Sequence, residues 1–154
     1  MEIRRATFED IPRITDLLLQ VHRVHSEKRP DIFRRGSKKY TEDELREIIA
    51  DDERPIFTAL VDGRVEGYAF CVFQRHDDNS LEKFTTLYID DLCVDENHRH
   101  EHIGTALYKY VLGFAKESGC YNVTLNVWEC NESALKFYNR MGLSVMKTTM
   151  EQIL

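Results

Sequence analysis

Apolar residues recur at the helix period between Ile103 and Ala115. Ile103, Ala106, Leu107, Tyr110, Val111, Phe114 and Ala115 fall at i, i+3, i+4, i+7, i+8, i+11 and i+12, which predicts one amphipathic helix with a single buried stripe. Just before it, Leu87 to Val94 is apolar and β-branched enough for a strand, and it ends in the acidic turn Asp95-Glu96-Asn97. The loop Arg99-His100-Glu101-His102-Ile103-Gly104-Thr105 feeds strand into helix. Such a loop leaves backbone N–H groups unpaired and aimed outward, and the helix dipole adds partial positive charge there. The geometry suits an anion, above all a phosphate.

The rest of the chain punctuates itself in the same way. Glu2 to Ala6 reads as a first strand, and Thr7-Phe8-Glu9-Asp10 as a capped helix start. Ile11, Ile14, Leu17, Leu18 and Val21 continue at helical spacing until Pro30. Thr41-Glu42-Asp43-Glu44 is a capping-box pattern leading to Leu45, Ile48 and Ile49. The polar link Ser26 to Tyr40 joins these two helices at an edge where a substrate cleft is often covered. Pro55–Val61 and Val65–Phe73 flank Asp62-Gly63, a hairpin turn. Phe84–Val94 is the next strand, Gly119 a helix stop, Tyr121–Val127 a strand, and Asn131 the start of a helix that Gly142 ends. Leu143–Val145 and Thr148–Ile153 read as closing strands. The order β-α-α-β-β-β-α-β-α-β implies a mixed sheet covered on both faces, with the Leu87–Val94 and Tyr121–Val127 strands as parallel neighbours.

Composition narrows the function classes. A chain of 154 residues, 42% hydrophobic and 31% charged, is expected to be one globular domain, 1–154, with a real core. A net charge of −6 argues against a nucleic-acid partner and leans toward cationic ones. No apolar run approaches the roughly 20 residues of a membrane span, and MEIRRATFED lacks the apolar core of a signal peptide. Cys71, Cys93, Cys120 and Cys130 form no Cys-x-x-Cys pair, which fits reduced thiols in a cytoplasmic protein. His98, His100 and His102 alternate, but no cysteine or acid cluster completes a tetrahedral set, so no metal is expected.

Two segments resemble a known family. Arg99-His100-Glu101-His102-Ile103-Gly104 is similar to the acetyl-CoA loop of the GCN5-related N-acetyltransferases, Arg/Gln-x-x-Gly-x-Gly/Ala. Asn131-Glu132-Ser133-Ala134-Leu135-Lys136-Phe137-Tyr138-Asn139-Arg140-Met141-Gly142 resembles that family's Asn-x-x-Ala-x-x-Phe-Tyr-x-x-x-Gly. The motifs lie in the right order, and together they cover about Leu87 to Leu143. One position departs: His102 stands where the loop's first glycine is usual.

The resemblance implies an α/β acyl-CoA N-acyltransferase fold with splayed central parallel strands, and acetyl-CoA as co-substrate. Its pyrophosphate would lie on the N–H groups of His100, Glu101, His102, Ile103, Gly104 and Thr105, with charge from Arg99. The pantetheine arm would run along Leu92, Cys93 and Val94, and Asn131 would touch CoA from the facing helix. Tyr138 is the implied acid that protonates the leaving thiolate, since a phenol of pKa about 10 lies near a thiol's value. Asp90 and Asp91 are expected on opposite faces of their strand. The pattern of two acids is nearest to the polyamine and diamine acetyltransferases, which makes Asp90 the implied base. Asp91, Phe33, Trp128 and Glu129 are candidates for the acceptor side. The expected reaction is acetyl transfer to a primary amine, by direct attack in a ternary complex and without an acyl-enzyme, on a small cationic molecule. Peptide N-termini and a non-catalytic CoA-binding module are the alternatives. A homodimer through the closing strands is compatible with this.

Overall fold

The computed structural model describes all residues from Met1 to Leu154. Five strands form one sheet in the order β1-β2-β3-β4-β5: β1 Glu2–Arg5, β2 Ile56–Val61, β3 Arg64–His76, β4 Phe84–Val94 and β5 Asn122–Leu125. Only the last pair is parallel, Thr86–Ile89 beside Asn122–Leu125. The helices are α1 Ile11–Lys28, α2 Glu42–Ile49, α3 Ile103–Glu117 and α4 Glu132–Arg140. The mixed α/β architecture with its parallel neighbours is therefore the expected one.

Local signals explain most boundaries. Thr7 N–H donates to Asp10 Oδ2 at 2.8 Å, and a short 3₁₀ turn over Phe8–Asp10 leads into α1. Thr41 and Glu44 close a reciprocal capping box on α2. Asp62 and Gly63 both take positive φ, 49° and 79°, as a tight two-residue hairpin requires. Gly119 ends α3 at φ 73°.

Alternation along the strands builds two cores. On one face Ile56, Tyr68 and Phe70 pack beneath Ile14, Leu17 and Leu18 of α1 and Leu45 of α2. On the other, Phe57, Ala59, Ala69, Cys71, Leu87 and Ile89 pack against Ile103, Leu107 and Val111 of α3. Gly67 permits this closeness: a Cβ there would meet the Cys93 carbonyl oxygen and Leu107 Cδ1, each at 3.0 Å.

A bulge then breaks the alternation. Phe70 pairs with Asp91 and Cys71 with Ile89, so Asp90 is the extra residue on β4. Beyond it the phase inverts: Cys93 joins the α1 core, while Leu92 and Val94 pack on the α3 side. Asp90 and Asp91 consequently point to the same side, where Tyr40 and Tyr68 meet them. The expectation of opposite faces is thus corrected, because strict alternation fails at a bulge.

The closing strands are a second correction. Leu143 turns in against the α3 core, its N–H bonded to Tyr138 O at 3.1 Å. Ser144 to Leu154 is instead an exposed arm outside any strand. Its branched and apolar composition suits pairing, but no strand of the same chain pairs with it.

Candidate active site

The loop after β4 has the features of an anion cradle. The backbone N–H groups from Arg99 through Thr105 donate to no protein acceptor, and the last three open α3, whose dipole adds positive character. A Cβ on Gly104 would meet Phe137 and Val94 only at ordinary contact, 3.5 Å. Packing alone does not demand glycine there, and the missing Cβ leaves the neighbouring amides open to close approach. His102 has φ 62° and ψ 10°, the left-handed region that explains why glycine is usual at this place. His100 shares that conformation at φ 72°. These two kinks aim the amides without needing glycine, at a cost in backbone strain.

Asp95 moors the loop. Its Oδ2 accepts from Arg13 Nη2 at 2.5 Å and Gln20 Nε2 at 2.9 Å, and its Oδ1 from Asn97 N–H at 2.8 Å. Arg13 also reaches Glu66 Oε2 at 2.6 Å and the Val65 carbonyl at 2.9 Å. Burial pushes the Asp95 carboxyl up, but the bonds from Gln20 and Arg13 win and hold it well below the usual carboxylate range. Glu66, Asp95 and His98 converge closely enough to suggest a metal, yet the Arg13 guanidinium already bridges the two carboxylates. Glu66 inside an otherwise apolar strand and Arg13 beside the apolar stripe of α1 were the overlooked signals for this network.

Beyond Ile89, β4 continues through Asp90–Val94 with no partner on its β5 side. Leu92, Cys93 and Val94 thus offer backbone groups along an open wedge, a place for an extended arm to add like a strand. The Cys93 thiol is buried against the Leu17 carbonyl, and burial pushes it well up, so it is no nucleophile. Asn131 caps α4: its Oδ1 accepts from Ala134 N–H at 3.4 Å, while its side-chain nitrogen has no protein partner.

At the wedge mouth stand the acids and Tyr138. Asp90 Oδ1 is 2.8 Å from Lys39 Nζ, and its Oδ2 accepts from Tyr40 Oη at 2.5 Å. Asp91 accepts from Tyr68 Oη at 2.9 Å; burial pushes its carboxyl up to about 6, against the opposing bond from Tyr68. The Tyr138 hydroxyl bonds to no protein group, and burial followed by the Asp91 charge raises it. The phenol therefore stays protonated at neutral pH. Lys39, Tyr40 and Tyr68 were not legible as site residues.

Residues 29–41 form the cover. Phe33 stacks on His25 at 5.1 Å and meets Trp128 edge-on at 5.2 Å, and Lys28 Nζ donates to the Cys130 carbonyl at 2.5 Å. Glu129 is exposed between these contacts.

The sequence model of the Acetyltransferase (GNAT) family matches residues 18–143. The chain belongs to that family. An uncharacterized N-acetyltransferase of Methanocaldococcus jannaschii is 29% identical over 140 residues, 91% of this chain and 59% of that protein. Human N-alpha-acetyltransferase 30 is 31% identical over 132 residues, 82% of this chain and 35% of that one. The chain thus spans less than two thirds of either relative. Among solved structures, a mutant of the BH1408 protein from Bacillus halodurans superposes with TM-score 0.96 at 27% identity, covering 100% of this chain and 99% of that one. An aminoglycoside N-acetyltransferase in complex with CoA shares the fold at TM-score 0.75 and 15% identity, over 99% of this chain and 98% of that one. The GNAT chain has no helix long and apolar enough to cross a membrane.

Proposed function

We propose that this chain transfers the acetyl group of acetyl-CoA to the primary amine of a small cationic acceptor, by direct attack in a ternary complex. The observation that carries the reading is the run of unpaired amides from Arg99 to Thr105 opening onto a wedge that ends at Asp90, Asp91 and Tyr138. Those amides, with Arg99, hold the pyrophosphate. Leu92, Cys93 and Val94 align the pantetheine arm, and the Asn131 side-chain nitrogen donates to it. Acetyl-CoA supplies the activated acyl group.

The chain's own residues supply the proton handling. An ammonium must lose a proton before it attacks, and a base works best with a pKa near the working pH. The implied base, Asp90, is already engaged by Lys39 and Tyr40, so it attracts and orients the amine only where the incoming ammonium replaces Lys39. Asp91, pushed up to about 6, is the better-matched proton acceptor. Tyr138 stays protonated and delivers its proton to the departing sulfur.

The cover favours a small acceptor over a peptide. Phe33 against Trp128 and Lys28 on the Cys130 carbonyl close the groove that a peptide would need. Two carboxylates in one pocket favour a diamine or polyamine, with Glu129 able to take a distal ammonium and Phe33 and Trp128 flanking the carbon chain. Four unpaired cysteines suit a reducing, cytoplasmic setting. A homodimer belongs to the same reading. Val145, Met146, Met150, Ile153 and Leu154 are exposed on one arm, and β5 leaves a sheet edge without a partner strand.

The test is an amine panel with acetyl-CoA, reading released thiol, beside calorimetric titration of CoA. Turnover of diamines or polyamines with CoA binding supports the reading. Absence of CoA binding overturns it.

A further inference from the structure

We propose that Lys39 is itself an acetyl acceptor, so that the enzyme modifies its own cover and thereby frees Asp90. The proposal rests on the reading that Asp90 marks the acceptor end of the wedge. Lys39 lies in the non-helical stretch between α1 and α2. Its Nζ is 2.8 Å from Asp90 Oδ1 and donates to the Asp90 carbonyl oxygen at 3.2 Å. Both oxygens belong to the bulged residue, at the point where β4 parts from β5. The Lys39 charge also reaches Asp91, where it lowers the carboxyl. A primary ammonium thus already occupies the place proposed for the amine of an external acceptor, beside the same two carboxylates, the second of which also acts on Tyr138.

The step balances. The Lys39 ammonium gives a proton to the Asp90–Asp91 pair, and its lone pair forms an N–C bond to the acetyl carbonyl carbon. The C–S bond breaks with its electrons on sulfur, which takes the Tyr138 proton; solvent then restores Tyr138. One acetyl group moves to Nζ, one CoA thiol leaves, and one proton is released. Tethering the amine within the same chain gives it an effective concentration of at least the order of millimolar.

Acetylation removes the positive charge, and with it the Lys39–Asp90 ion pair. Tyr40 alone then holds Asp90, and the carboxylate becomes available to a diffusible ammonium. Lys39 in its free form is a tethered competitor of the substrate, and its acetylated form is not. Loss of a partly exposed ion pair changes an affinity by about two- to fivefold.

The experiment incubates the purified full chain with acetyl-CoA and no added amine, then measures intact mass and maps peptides. The expected result is a gain of about 42 Da at Lys39, ahead of its neighbour Lys38. The first-order rate should be independent of protein concentration and at least about tenfold slower in Tyr138→Phe. Lys39→Arg should keep the melting temperature and lose the modification. Lys39→Gln should lower KM for a cationic amine by about two- to fivefold. Turnover of external amines with Lys39 unmodified, or a labelling rate that grows with protein concentration, overturns the proposal and leaves the acetyltransferase reading standing. Failure to bind CoA overturns both.

Discussion

Asp91→Asn should make the protein more stable and slower together. The carboxyl is desolvated at the wedge mouth, and burial carries it from the ordinary 3.8 to about 6 despite the bond from Tyr68. A rise of about two units, at about 1.4 kcal/mol each, puts the cost of keeping this group ionised at neutral pH on the order of 3 kcal/mol. The sign follows from proton binding. Between the unfolded and folded values the native state holds more protons than the unfolded chain, so stability falls as pH rises through that window and is flat above it. Asparagine keeps the shape and an oxygen for the Tyr68 hydroxyl, and removes the charge. Melting of both proteins across pH 4 to about 8 should show coincident curves at the acid end. At the neutral end the variant should lead by roughly 6–12 °C, given about 2–4 °C per kcal/mol for a chain of this size. Acetyl transfer should fall in the same variant, because its proton acceptor is gone. An asparagine variant that melts lower at neutral pH, or that keeps the parent's loss of stability from acid to neutral, refutes the reasoning.

Tyr138→Phe should cut kcat at least about tenfold with little change in the affinity for CoA, measured by steady-state kinetics and titration; unaltered kcat rejects the phenol as the acid. His102→Gly should relieve left-handed strain at φ 62° and raise stability by about 1 kcal/mol in denaturant titration. Gly67→Ala forces a Cβ to within 3.0 Å of the Cys93 carbonyl and Leu107, and should cost about 1–3 kcal/mol by the same measurement. Val145→Glu with Met150→Glu should shift the light-scattering mass of the eluted protein from two copies to one.

What the sequence could and could not reveal divides along physical lines. Periodicity and turn chemistry are local, so α1, α3, the Asp62-Gly63 hairpin and the loop into α3 were legible. The bulge at Asp90 was not, because it is decided by register against β3 rather than by residue type. That one unpaired residue moved both acids to the same face. Lys39 and Tyr40 were invisible for a related reason: they lie 51 and 50 positions from Asp90 along the chain, and an irregular link has no period from which to infer its target. The arm after Leu143 has the composition of a strand because branched residues mark a capacity to pair, while pairing itself needs a neighbour.

Asp95 ties the loop after β4 to α1. Arg13 and Gln20, which hold it, ride on α1, a rod of 18 residues whose far end carries His25 and Lys28 against the cover. Whatever settles on the amides after β4 therefore pulls on the same rigid piece that braces the lid above the acceptor. Binding at the two places should therefore be coupled. Each should tighten the other by an equal factor, as reciprocity between two bound species demands.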